Sequence, residues 1–186
     1  NTPYNEENKL SEKAGKSLVS KSENLHGESI SEDIAIKSMN IGGYNLSEMS
    51  VSIAHDKDGV SSYEDYLGLL GGEVISRFNI ILDYSTSILY LKPNENFTNP
   101  FEFPVSGIKL KKENGSVIIK TIEKTSLAYE KGIRKGDKLI SVNNDSSGDI
   151  IAFKELLKKE GNNISLTVIN SKGETKKIRI KLKRLL

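Results

Sequence analysis

The chain has no cysteine and no tryptophan, and only two histidines, two methionines and four prolines among its 186 residues. Without cysteine there is no disulfide, no thiolate nucleophile and no Cys-based zinc site. His26 and His55 have no partner at metal-ligand spacing. Asp56-Lys57-Asp58-Gly59 lacks the spaced ligands and closing glutamate of a calcium loop, so it reads as a solvated turn. No metal and no cofactor are expected. A nucleophile elbow of the form G-x-S-x-G, a phosphate loop and a dinucleotide fingerprint are also missing, and Gly71-Gly72 reads as a turn or close-packing position. No apolar run approaches the roughly 20 residues that span a bilayer, so no membrane-spanning segment is expected. The opening stretch Asn1 to Lys9 is polar and acidic, unlike a secretory signal, and does not start with Met. The expectation is a processed or truncated piece of a longer protein.

What is present is the balance of a folded chain. Hydrophobic residues make up 36% and charged residues 28%, and the length suits one large domain or two small ones. The net charge of +2 conceals a division: residues 1–104 hold 8 basic and 16 acidic side chains, residues 105–186 hold 19 and 9. A basic half can attract nucleic acid. Here, however, lysines alternate with apolar residues, as in Lys177-Ile178-Arg179-Ile180-Lys181-Leu182-Lys183, which is the pattern of a strand with one solvated face. No aromatics interleave with them to stack bases. The solvated face is the preferred reading, and nucleic acid is not an expected partner. Three of the four prolines fall in the segment from Lys92 to Pro104, with Phe97, Phe101 and Phe103. Proline blocks both helix and ladder, so this reads as a linker, and its phenylalanines imply that it packs on a surface.

The basic half reads as a compact series of short elements. Ser106 to Lys112 alternates and leads through Glu113-Asn114-Gly115, a hairpin signal, into the β-branched run Ser116 to Ile122. A hydroxyl cap and a closing glycine bound a short helix within Thr125–Gly132. Lys138 to Val142 is a strand. Asp149 caps a longer helix, Ile150 to Lys159, and a last hairpin turns at Ser171-Lys172-Gly173. The stretch from Ser126 to Asn143 resembles the PDZ pattern S-x-A-x-x-x-G-[LI]-x-x-G-D-x-[IL]-x-x-[IV]-N. Ala128 lets the short helix press on the sheet, Gly132 ends it, and Gly136-Asp137 turns the chain into the next strand. The element order is similar to that of PDZ domains in HtrA-like and carboxy-terminal processing proteases. The resemblance implies peptide binding by strand addition. It places the carboxylate-facing loop at Pro104 to Gly107 and the groove strand at Ile108 to Leu110. The peptide-binding residues it implies are Val105, Ser106, Gly107, Ile108, Lys109, Leu110, Ile150 and Phe153. Ile150, Phe153 and Leu157 share one helix face, where a core role competes with a groove role and is preferred for Leu157. The glycine-rich loop of the family is only echoed by Val105-Ser106-Gly107-Ile108.

In the acidic half, residues 34–92 alternate, with a turn at Gly42-Gly43. Met39-Asn40-Ile41-Gly42-Gly43-Tyr44-Asn45-Leu46, Leu69-Leu70-Gly71, Phe78 to Tyr84 and Leu89-Tyr90-Leu91-Lys92-Pro93 together resemble the later part of a retropepsin-like aspartic protease. In that family the apolar-apolar-Gly signature leads into a short helix, and His26 falls in the region matching the flap. Both histidines read as surface residues. The chemistry requires two carboxylates sharing one proton, which the family supplies from D-[TS]-G. This chain has no such triplet. Asp145-Ser146-Ser147-Gly148 carries an extra residue, and Asp83 matches a structural strand. No catalytic residue is assigned in this chain.

The expected fold class is mainly β with short helices: a partial retropepsin-like domain over residues 1–95, a linker over 96–104, and a PDZ-like, partly open β-barrel over 105–186. The resemblance implies a fragment of an aspartic endopeptidase whose catalytic Asp lies upstream of Asn1, inactive by itself, with a peptide or protein substrate and a homodimer or second lobe to complete the site. It favours an extracytoplasmic location. The alternative is a non-enzymatic peptide-binding or adaptor protein on a degenerate protease fold.

Overall fold

The structure is a computed structural model that describes every residue except Leu25 and His26, so the flap-like reading of His26 lies outside the described residues. The chain divides into two compact units, Asn1–Glu102 and Phe103–Leu186. It is mainly β with short helices, and among the described residues no helix is long and apolar enough to cross a membrane.

The first unit opens with helices α1 (Thr2–Asn8) and α2 (Leu10–Lys13). Asn1 caps α1 by accepting from Tyr4 N at 3.0 Å, and Pro3 sits in the first turn, where its missing N–H costs nothing. Strands β1 (Ser17–Asn24), β2 (Gly27–Ile41) and β3 (Tyr44–Ala54) form an antiparallel sheet in that order. Gly42 and Gly43, with φ of 56° and 85°, close β2 onto β3 so that Ile41 faces Tyr44. Two positive φ angles in a two-residue turn match the twist of paired strands, the reason this hairpin needs glycine. Helix α3 (Gly72–Ile75) precedes a ribbon of β4 (Phe78–Asp83) and β5 (Ile88–Pro93). Leu46, Met49, Phe78 and Phe101 form the core. Around them the rings of Tyr44, Phe78 and Phe97 lie 5.5 to 5.9 Å apart in tilted and edge-on pairs.

Arg77 is buried beside this core, with 4% of its surface exposed. Its Nε donates to Glu73 O at 3.1 Å, Nη1 to Asn96 O at 3.0 Å and also to Asn99 O, and Nη2 to Pro100 O at 3.3 Å. The guanidinium stacks 3.6 Å above the Phe101 ring. Five fixed donors suit a cluster of carbonyls, so this one side chain fastens the proline-rich stretch 94–101 to the first unit. By contrast the β4–β5 ribbon leaves Ile81 67% and Tyr90 52% exposed on one face, with Tyr84 87% exposed beyond it.

The second unit is a five-stranded antiparallel sheet in the order β10-β9-β8-β7-β6, made of β6 (Ile108–Glu113), β7 (Ser116–Ile122), β8 (Lys138–Val142), β9 (Asn163–Ile169) and β10 (Thr175–Lys181). Its outer strands β10 and β6 are not neighbours in that order, so the sheet does not close into a barrel. Helices α4 (Leu127–Glu130) and α5 (Ile150–Lys158) cover it. Ile119, Ala128, Ile133, Val142, Phe153, Leu166, Val168 and Leu182 have no exposed surface and form the centre of one core. The motif residues have local duties. Ser126 Oγ accepts from Tyr129 N at 3.2 Å and donates to Glu123 O at 2.7 Å. Gly132 follows α4 at φ 94°, and buried Asp137 accepts from Arg134 N at 2.8 Å. Asn143, at φ 55°, exchanges bonds with Ser165, donating N–H to its carbonyl at 2.7 Å and accepting its N–H at 2.9 Å.

Candidate functional site

Strand β6 ends the sheet order, so one of its edges bonds to β7 and, among the described residues, the other has no strand beside it. Helix α5 packs against β6 and β8. Asp149 sets where α5 begins, accepting from Ile151 N at 2.9 Å. The free edge of β6 and the flank of α5 thus delimit the candidate site. Edge N–H and C=O groups must be satisfied by water or by an incoming chain, and this is the chemistry the arrangement offers.

The residues assigned to peptide binding divide by burial. Val105, Leu110 and Phe153 belong to the core, as does Leu157, with Ile108 and Ile150 packed half-buried against it. Phe153 therefore supports the site from beneath, and Ile150 is half-buried at the start of α5. Lys109 is exposed. Ser106 is buried, and its Oγ accepts from Ile108 N at 3.3 Å, so that amide is already engaged. Gly107 adopts φ 69°, and its carbonyl accepts from Glu123 N at 2.8 Å. A Cβ there would stand 2.7 Å from Ser126 Cβ and 3.0 Å from Glu123 Cβ. Neither neighbour is the end of a flexible chain, so glycine is required both by conformation and by space. Gly107→Ala is expected to lower stability by about 2 kcal/mol, read as the shift in denaturant midpoint.

Sequence reasoning did not find Leu185, whose N–H donates to Pro104 O at 3.0 Å and whose side chain lies beside Gly107. It also missed Lys154 and Ile151 on the exposed side of α5. The helical period that points to Phe153 places them a step round the helix, so that signal was available.

Three carboxylates elsewhere, Asp83, Asp145 and Glu32, have structural partners. Asp83 accepts from Ser85 Oγ at 2.6 Å and Ser85 N at 2.9 Å, and these bonds, with Thr86, hold its carboxyl below the ordinary value. Asp145 is lowered in the same way by Ser147, whose N–H lies 2.9 Å away. His55, expected as a surface residue, meets Glu32, with Nε2 3.1 Å from Oε2. Strands β2 and β3 run antiparallel and bring them together. Ser11 and then Ser17 do most to hold Glu32 below its ordinary value of 4.5, with His55 adding to them; Ser11 also has Asn5 Oδ1 in reach at 3.1 Å. A lowered folded-state pKa means that the stabilisation is present above the ordinary value and is lost as pH falls through the folded one. Stability is therefore expected to drop below about pH 4.5, and Glu32→Gln to flatten that part of the profile, measured by urea unfolding from pH 3 to 6. Among the described residues no group of three His, Asp or Glu side chains is arranged to hold a metal ion.

Residues 118–170 match the family model of the PDZ domain. The chain carries a PDZ domain. The match takes in α5, with Ile150 and Phe153, and stops short of β6 and the loop before it. No curated protein matches the chain. Among solved structures, a photosystem II D1 C-terminal processing protease is similar at 12% identity and a TM-score of 0.42, over 50% of this chain and 26% of that one. An HtrA-type protease AlgW with decapeptide is similar at 11% identity and a TM-score of 0.41, over 92% of this chain and 61% of that one. The chain thus spans between a quarter and about three fifths of their lengths. Neither likeness carries chemistry over to this chain, and the retropepsin resemblance of the first unit finds no support among them.

Proposed function

We propose that the PDZ unit binds an extended peptide as an added strand on the free edge of β6, beside α5, and that the chain handles peptide segments for a proteolytic system. The unpaired edge of β6 within a PDZ domain carries this reading. Main-chain bonds supply affinity in strand addition, and side chains on alternate positions supply selectivity. Because Ile108 N is already bonded to Ser106 Oγ, internal peptide segments are bound as readily as free C-termini. The test is an N-methyl scan of a binding peptide, read by fluorescence anisotropy with the full chain. Methylation at every second amide is expected to weaken binding about tenfold, with little effect between. Uniform tolerance overturns strand addition.

The second reading concerns the first unit, as the later part of a retropepsin-like aspartic peptidase. It is supported by the Gly42-Gly43 hairpin, by α3 following Leu69-Leu70-Gly71, and by a β4–β5 ribbon whose exposed Ile81 and Tyr90 suit a strand pair covered on both faces. Asp83, tied into its own turn, takes no part in catalysis on this reading. Pepstatin-sensitive cleavage of a peptide library by a parent polypeptide carrying D-[TS]-G supports it. Peptide binding without cleavage supports the adaptor alternative.

A further inference from the structure

We propose that the β6 groove selects acidic peptides, an inference that rests on peptide binding at β6. Lys109, Lys111 and Lys112 are exposed on the groove strand, and Lys154 and Lys158 on α5. Ile150, Lys154 and Leu157 follow at i, i+4 and i+7, so they lie along one stripe of the helix. Leu157 is buried and Ile150 half-buried, which puts Lys154 at the stripe's solvent margin. No Asp or Glu occurs from Pro104 to Lys112 or on that stripe. The two carboxylates nearest in sequence are engaged already, Glu113 with Lys111 at 2.9 Å and Glu155 with Lys158 at 3.4 Å. Among the described residues no carboxylate pairs with Lys112 or Lys154. Lys111 and Lys158 are paired by these same bonds, so Lys112 on β6 and Lys154 on α5 are the cations that an incoming chain meets from the two sides of the groove.

The spacing fits an added strand. Side chains on one face of a strand recur about every 6.8 Å, so every second side chain of an added strand turns towards α5. The side chains turned towards α5 meet Ile150 first and Lys154 a turn further on. Apolar and acidic residues together are the composition that fits, within a unit holding 19 basic and 9 acidic side chains. Each exposed ion pair contributes little, and two or three of them give roughly a tenfold preference that falls with salt.

The test uses two synthetic ten-residue peptides of identical apolar positions, one with glutamate and one with glutamine at the remaining sites, titrated into the full chain. The glutamate peptide is expected to bind about tenfold tighter at roughly 50 mM salt and less than about threefold tighter at 0.5 M. Lys154→Glu is expected to remove about a factor of three of that preference. Lys177→Glu, the same charge change on β10 at the far end of the sheet, leaves it unchanged, and thermal melts confirm that both variants fold. Equal binding of the two peptides overturns the selectivity and leaves peptide binding standing. Equal effects of Lys154→Glu and Lys177→Glu overturn the groove as its source in favour of net charge. Failure of both peptides to bind overturns the selectivity together with the reading beneath it.

Discussion

Arg77→Met is expected to lower the stability of the first unit by about 3 kcal/mol. Methionine fills much of the same space, so the loss comes from hydrogen bonds. The carbonyls of Glu73, Asn96, Asn99 and Pro100 now point at one guanidinium, and each loses a donor, Asn96 O keeping Asn99 N and Glu73 O keeping Ser76 Oγ. A buried acceptor without a partner costs about 1–3 kcal/mol, reduced wherever water enters. Arg77→Lys is a sharper probe, because it keeps the positive charge and discards the fork. An ammonium reaches one or two of these carbonyls and cannot stack flat on Phe101, so a loss of about 2 kcal/mol is expected. Hydrogen exchange in the first unit is the measurement. Faster exchange at the Asn94, Phe97 and Asn99 amides supports the role; an unchanged pattern in both variants contradicts it.

Phe153→Ala is the second large effect, at about 4 kcal/mol against the PDZ unit. Phe153 is fully buried in a core shared by β6 to β10 and both helices, and a cavity at the centre of such a core relaxes only partly. Phe153→Leu is expected to cost about 1.5 kcal/mol. The split between the two variants identifies the role of the ring. A residue lining the groove would alter peptide affinity and leave stability nearly unchanged, whereas a supporting residue lowers stability first. Urea unfolding followed through amides of the second unit distinguishes them.

The PDZ unit was legible because its motif is local. Ala128, Gly132, Asp137 and Asn143 each serve a turn, a cap or a close approach within a short stretch, and such duties restrict residue type at fixed spacing. Strand and helix bounds from Ser116 to Lys158 were readable for the same reason. The role of Arg77 was not, since all its partners but Glu73 are main-chain carbonyls 19 to 23 residues further on, and any residue has a carbonyl. Helix α1 escaped notice because it rests on the Asn1 cap and shows no apolar stripe. Strand β1 escaped because serine, lysine and glutamate dominate it. For Phe153 the period located the correct helix face without dividing core from groove, because both lie on that face. The division depends on depth, which spacing does not encode.

The most direct measurement of the central claim is amide chemical-shift mapping of the full chain, titrated with the glutamate peptide. The account predicts perturbations concentrated at Ile108 to Glu113 and along Ile150 to Lys158, with new exchange protection at those β6 amides that do not bond to β7. Perturbations centred on β10, or spread evenly over the lysine-rich surface without protection on β6, would contradict it.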